Sequence, residues 1–103
     1  KGGFMNVKIN SVKFKADRKL EDFINERIGK LTTYYDGLIS SEVTLKIDNV
    51  EGPDNKITEI RLVIKGNDLY ARKQSKSFEE STDTAVEALR KQLKKHKEKM
   101  RRF

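Results

Sequence analysis

The chain has 103 residues, 35% of them hydrophobic and 38% charged, with a net charge of +7. That length suits one domain with a modest core and is too short for two independent ones. With no cysteine, disulfides and thiolate metal sites are excluded, and no apolar run approaches the ~20 residues of a membrane span. The positive excess favours a polyanionic partner, nucleic acid or an anionic membrane surface, in a cytoplasmic setting.

Lys1-Gly2-Gly3-Phe4 reads unlike the rest of the chain, and Met5 serves as a native start, so the first four residues are read as a remnant. One domain is expected over residues 5–103. From Met5 to Phe14, Val7, Ile9 and Val12 alternate with Asn6, Lys8 and Asn10, which predicts a half-buried strand. Asp17 then caps a helix whose Leu20, Phe23, Ile24, Ile28, Leu31, Tyr34 and Tyr35 share one face, with Asp36-Gly37 as its stop. A second strand is predicted over Glu42 to Val50 with Val43, Leu45 and Ile47 inward, followed by a turn at Gly52-Pro53-Asp54-Asn55. Ile57 to Lys65 gives a third strand with Ile60, Leu62 and Ile64 inward, Gly66-Asn67-Asp68 a tight hairpin, and Leu69 to Ser75 a fourth strand. Ser77 opens a second helix at capping-box spacing from Glu80, and Glu79 and Asp83 complement its N-terminal dipole. Its apolar stripe is Phe78, Thr82, Ala85, Val86, Leu89, Leu93 and Met100. The order β-α-β-β-β-α predicts an α+β domain, a four-stranded sheet with both helices packed on one face.

Charge is concentrated at the end of the chain. From Thr84 to Phe103, Arg90, Lys91, Lys94, Lys95, Lys97, Lys99, Arg101 and Arg102 stand against Glu87 and Glu98 only. Arg90, Lys94, Lys97 and Arg101 fall on one helical stripe, and Lys91, Lys95 and Arg102 on a second beside it. Like charges at these spacings oppose helix formation by a few tenths of a kcal/mol per pair. A surface that tracks phosphates explains them better than a merely solvated helix, which would mix in more carboxylates. On the first helix, Arg27 projects into the apolar face between Phe23, Ile24 and Leu31, with Lys19 and Lys30 at the same edge. It either snorkels to the rim of the core or lines a groove between the helices. In the fourth strand, Arg72 and Lys76 on one face and Lys73 on the other either extend a basic platform or discourage edge-to-edge association. Tyr70 is the one aromatic placed to stack on a base.

Catalysis has little to draw on. The lone histidine, His96, lies on the core-facing stripe of the last helix, and no catalytic motif surrounds it. Glu79, Glu80 and Asp83 are explained by the helix dipole rather than by a metal. No nucleotide-binding glycine pattern occurs. The expectation is a non-enzyme with no metal and no cofactor.

The residues from Met5 to about Lys99 resemble the ribosome hibernation promoting factor family, also called ribosome-associated translation inhibitor or protein Y. MNVKINSVKFKADRKL is similar to its first strand and helix start, and EDFINERIGKLTTYYD to its first helix, with Arg27, Lys30 and Leu31 at the basic-basic-Leu positions. DTAVEALRKQLKKHKEK resembles its closing signature. Ser11-Val12 departs from a frequent Gly-Arg, Glu21 from an arginine, and Ser77–Thr82 from an acid-x-Tyr-Ala-Ala-Ile run of which only the final Asp83 is kept.

The resemblance implies a fold like that of double-stranded-RNA-binding domains. It also implies a cytoplasmic hibernation factor of the stress response and stationary phase, docked in the mRNA/tRNA channel of the small ribosomal subunit. Translation inhibition would follow from steric occlusion of mRNA and of A- and P-site tRNA. The rRNA-binding candidates are Arg27, Lys30, Arg90, Lys91, Lys94, Lys95 and Lys97. The chain resembles the family's short form, without the long form's dimerisation domain, and is expected to be a monomer. Two other readings stay open: a general structured-RNA binder, and a protein-interaction module that uses the sheet face. A membrane role is disfavoured because the basic helix spends its apolar face on the core.

Overall fold

The structure is a computed structural model that describes residues 6–49 and 51–101; of Met100 and Arg101 it describes the backbone alone. Residues 1–4, read as a remnant from the sequence, together with Met5, Val50, Arg102, Phe103 and the side chains of Met100 and Arg101, therefore lie outside the described part of the molecule. The elements are β1 (Asn6–Ser11), α1 (Arg18–Tyr34), β2 (Leu38–Ile47), β3 (Lys56–Ile64), β4 (Asn67–Ser75) and α2 (Phe78–Arg101). The sheet order is β1-β2-β3-β4, with β1 parallel to β2 and the other pairs antiparallel. The expected β-α-β-β-β-α architecture is the one found.

Period-2 alternation sorts the sheet into two faces. Val7 and Ile9 of β1 stand beside Ser41, Val43 and Leu45 of β2, and the same rows continue through Thr58, Ile60 and Leu62 to Leu69 and Ala71. The helices cover this face. Leu20, Ile24, Ile28 and Leu31 of α1, and Phe78, Ala85, Leu89 and Leu93 of α2, are buried against it. Each large apolar side chain among them contributes ~1.5–3 kcal/mol by leaving water. Phe14, in the β1–α1 connection, stacks on Phe78 at 5.1 Å and closes one end of the core.

The helix starts follow the capping chemistry expected of them. Asp17 accepts the Leu20 N–H at 2.8 Å, and Ser77 Oγ accepts the Glu80 N–H at 3.1 Å. Between β3 and β4 the chain turns at Lys65-Gly66, with φ of +78° at Gly66, a conformation that favours glycine.

Several boundaries differ from expectation. β1 ends at Ser11 rather than Phe14, because the chain leaves the sheet there and Lys13 enters the left-handed region at φ 66°. α1 ends at Tyr34, before Asp36-Gly37; Tyr35 is already extended, and its N–H donates to Leu31 O at 2.9 Å. β2 begins at Leu38 rather than Glu42, since pairing with β1 recruits Ser40 and Ser41. Ile47, expected inward, is 46% exposed, because it ends β2 beyond the last core row.

The core also contains a polar cluster. Thr58 Oγ1 lies 2.7 Å from Ser81 Oγ and 3.3 Å from Thr82 Oγ1, all three residues being buried. Ser81 and Thr82 stand where the resembling family's pattern has Ala and Ile, and Thr58 supplies their hydroxyls with a partner. Ser41 is different: its hydroxyl is buried with no hydrogen-bond partner among the described residues.

Candidate nucleic-acid interface

Strand directions decide where the helical charges go. β1, β2 and β4 run one way, and α1 and α2 each return across the sheet the other way, so the two helices run in the same direction. Cross-helix contacts agree: Arg27 meets Asp83, and further along both helices Tyr34 meets Lys97. The N-terminal halves therefore share one end of the helical layer, and the C-terminal halves share the other.

That arrangement separates charge. At the N-terminal end α1 carries Asp17, Glu21, Asp22 and Glu26 against Arg18 and Lys19, and α2 carries Glu79, Glu80, Asp83 and Glu87 with no cation before Arg90. At the C-terminal end stand Lys30 of α1 and the run Arg90, Lys91, Lys94, Lys95, Lys97 and Lys99 of α2. The basic residues are thus gathered beside one another by the topology, with Glu98 among them and the other acids of α2 at the opposite end.

The seven candidate contacts divide into two groups. Lys30, Lys91, Lys94 and Lys95 are exposed, and among the described residues their ammonium groups enter no ion pair or hydrogen bond. Lys91 and Lys95 lie one helical turn apart, about 6 Å along the axis. The remaining three are held. Arg90 pairs with Glu87 at 2.6 Å. Lys97 places its Nζ 4.6 Å from the centre of the Tyr34 ring and donates to Tyr34 O at 3.3 Å, bonding a carbonyl at the end of α1.

Arg27 is the most constrained. Its Nε donates to Asp83 Oδ1 at 2.7 Å, its Nη1 lies 3.2 Å from Glu26, and its guanidinium sits 4.2 Å from the centre of the Phe23 ring. The side chain is only 28% exposed. Of the two sequence readings, the structure places Arg27 in the groove between the helices. Asp83 is thereby more than a dipole partner: it is the sixth residue of α2, and the dipole effect is confined to the first turn. A pair 56 residues apart in sequence leaves no signal in local periodicity.

The open face of the sheet handles charge differently. Arg61 bonds Asp68 at 2.6 Å and Glu42 at 3.4 Å, and Glu59 receives both Lys46 and Arg72 at 3.2 Å. Arg72 is therefore paired, while Lys73 is half-buried on the helix side and Lys76 is exposed beyond the strand. Tyr70, 53% exposed, stands on the open face opposite Arg61, and its carbonyl accepts from the Gln92 side chain of α2 at 2.9 Å. His96, expected toward the core, is half-buried with its ring edge-on to Tyr35 at 5.7 Å. Among the described residues no group of acids and histidine is arranged to hold a metal ion, and no helix is long and apolar enough to cross a membrane.

The pairings also set ionisation. The hydrogen bond from Arg90 holds the Glu87 carboxyl below its ordinary value and raises the guanidinium in return. Asp68 does the same for Arg61, chiefly through its hydrogen bond. These shifts favour the charged forms of Glu87, Arg90 and Arg61, which are charged at neutral pH in any case, and add nothing catalytic.

Comparison with known proteins bears on this geometry. A family profile described as sigma 54 modulation protein / S30EA ribosomal protein matches residues 7–101. A Pseudomonas putida protein named ribosome hibernation promoting factor is 25% identical over 95 residues, which cover 92% of this chain and 89% of the relative. The Thermus thermophilus protein Y N-terminal domain superposes with a TM-score of 0.75 at 22% identity, over 89% of this chain and 99% of that one. A ribosomal subunit interface protein from Coxiella burnetii gives 0.81 at 16% identity, over 90% and 98%. The two solved structures share the fold described above.

Proposed function

The chain belongs to the sigma 54 modulation protein / S30EA ribosomal protein family, and from that premise we propose that it is a ribosome hibernation factor that binds the small subunit in the mRNA/tRNA channel. The name carried by the Pseudomonas putida relative supports the hibernation role. The observation that carries the docking surface is the gathering of Lys30, Lys91, Lys94 and Lys95, exposed and without carboxylate partners among the described residues, at one end of the helical layer.

In this reading the four lysines act as point charges on rRNA phosphates and release condensed counterions, which supplies salt-sensitive affinity. Arg90 and Lys97, fixed by Glu87 and Tyr34, orient the surface. Arg27 joins them where a phosphate enters the inter-helix groove. The body of the domain then excludes mRNA and A- and P-site tRNA, and translation stops without any catalytic step. The protein acts as a monomer in the cytoplasm, in the stress response of stationary phase, and needs no metal, cofactor or membrane.

The test is sedimentation of the purified protein with vacant small subunits across a salt series, with and without mRNA and tRNA. Occlusion predicts co-sedimentation that weakens steeply with salt and is reversed by both ligands. Binding indifferent to mRNA and tRNA contradicts it, and equal affinity for any long RNA duplex leaves only a general RNA-binding domain.

A further inference from the structure

Arg27 occupies the boundary between the two ends of the helical layer. Toward the C-termini lie the unpaired lysines; toward the N-termini, Glu26 and Asp83 both hold the guanidinium. An arginine exposed only to solvent would be captured by any phosphate that approached it. This one has its Nε already bonded to Asp83 at 2.7 Å and its guanidinium over the Phe23 ring, 4.2 Å from the ring centre. A phosphate that displaced Asp83 would leave an uncompensated carboxylate beside itself, with Glu87 one turn further along α2. Exchange is therefore opposed unless other contacts fix the phosphate in the groove.

We propose that Asp83 is a specificity-determining residue, a latch that withholds Arg27 from arbitrary phosphates. Generic RNA duplex is then held by the exposed lysines alone. Arg27 is recruited only by a folded RNA surface whose shape presses a phosphate between α1 and α2. This inference rests on the reading that the cognate partner is the small ribosomal subunit. It assigns the discrimination to an internal ion pair rather than to a base contact, and it makes the latch a positioning device for the one arginine that bridges the two helices.

The experiment is a double-mutant cycle of Asp83→Asn and Arg27→Gln, measured on a generic RNA duplex and on vacant small subunits. Loosening the hold on Arg27 by Asp83→Asn, which keeps an acceptor but removes its charge, is expected to raise duplex affinity about three- to tenfold and to steepen its log K against log salt slope by ~0.7–0.9, the value of one added phosphate contact. Subunit affinity should rise less, so the ratio between the two falls. With Arg27→Gln already present, Asp83→Asn should change duplex affinity less than about twofold. An equal rise in both Arg27 backgrounds would mean that Asp83 acts only as a negative charge, and no rise on duplex would mean that it holds nothing back; either overturns the latch.

The wild-type protein gives an independent readout should Asp83→Asn fold poorly. The Arg27 Nε–H resonance should keep its position and slow exchange when saturated with duplex. A shift to the phosphate-bound position there overturns the proposal. Failure of the ribosomal reading is separable, because it appears as equal wild-type affinity for subunits and duplex, whereas the coupling of Asp83 to Arg27 on duplex decides the latch by itself.

Discussion

On the open face of the sheet, Arg61 and Arg72 each have a carboxylate within 3.2 Å; on the C-terminal half of α2, Lys91, Lys94 and Lys95 have none among the described residues. Both regions are exposed and rich in cations, so composition alone does not tell them apart. The difference is in pairing. Cross-strand neighbours on the sheet alternate in sign, and their fields cancel within a few ångströms. Along α2 every acid but Glu98 precedes Arg90 and the other bases follow it, so the field is left standing at one end of the molecule. A cationic residue is informative about a polyanionic partner only after its carboxylate neighbours have been subtracted.

The largest effect should come from reversing the unpaired charges. Lys91→Glu with Lys94→Glu and Lys95→Glu should reduce small-subunit binding by about 100-fold or more at moderate salt, because three phosphate contacts become repulsions. Thermal unfolding should shift little, since all three side chains are exposed. Comparable loss from reversing Arg61 and Arg72 would erase the distinction between the faces.

Next come the buried hydroxyls that hold α2 on the sheet and so keep its cations in place. Thr58→Val leaves Ser81 and Thr82 without their shared partner and should destabilise the fold by ~1–3 kcal/mol in urea unfolding. Ser41→Ala removes a hydroxyl that has no partner among the described residues and should be neutral or stabilising by the same measurement.

Smaller still, Arg61→Gln or Arg72→Gln should alter subunit binding less than about threefold and thermal unfolding hardly at all, as exposed pairs do. The smallest concerns acid. Glu87 is held below its ordinary value of 4.5 by Arg90, so its contribution is present above that value and fades as pH falls through the lowered one. Glu87→Gln should therefore lower stability slightly at neutral pH, by an amount that vanishes as pH falls, so that the acid limb flattens, as read by melting between pH 3 and 7.

Much of this was readable from the sequence, for local reasons. Val43 and Leu45, Ile60 and Leu62, and the α1 stripe from Leu20 to Leu31 carry their burial in their spacing, and Asp17 and Ser77 mark the helix starts. What was not readable depends on partners far along the chain. Leu38 to Ser41 join the sheet because Leu38 pairs with Ile64 of β3 and Ser40 and Ser41 pair with both β1 and β3. Thr58 is buried in company with Ser81 and Thr82, a match that no window around either segment contains. The site divides the same way. The unpaired lysines follow from counting charges on one helix, and the Glu87–Arg90 pair from i,i+3 spacing. The holding of Arg27 by Asp83, and of Lys97 by Tyr34, depends on two helices running side by side in the same direction.

The most direct test of the account is the salt slope of small-subunit binding for Lys91→Gln with Lys94→Gln and Lys95→Gln, set beside Arg61→Gln with Arg72→Gln. If the helical end carries the phosphate contacts, the triple variant should lose ~2–3 from the log K against log salt slope and the sheet variant should keep the wild-type value. A slope that falls for the sheet variant, or stays unchanged for the triple, would contradict the assignment of the RNA-binding surface to the C-terminal halves of the two helices.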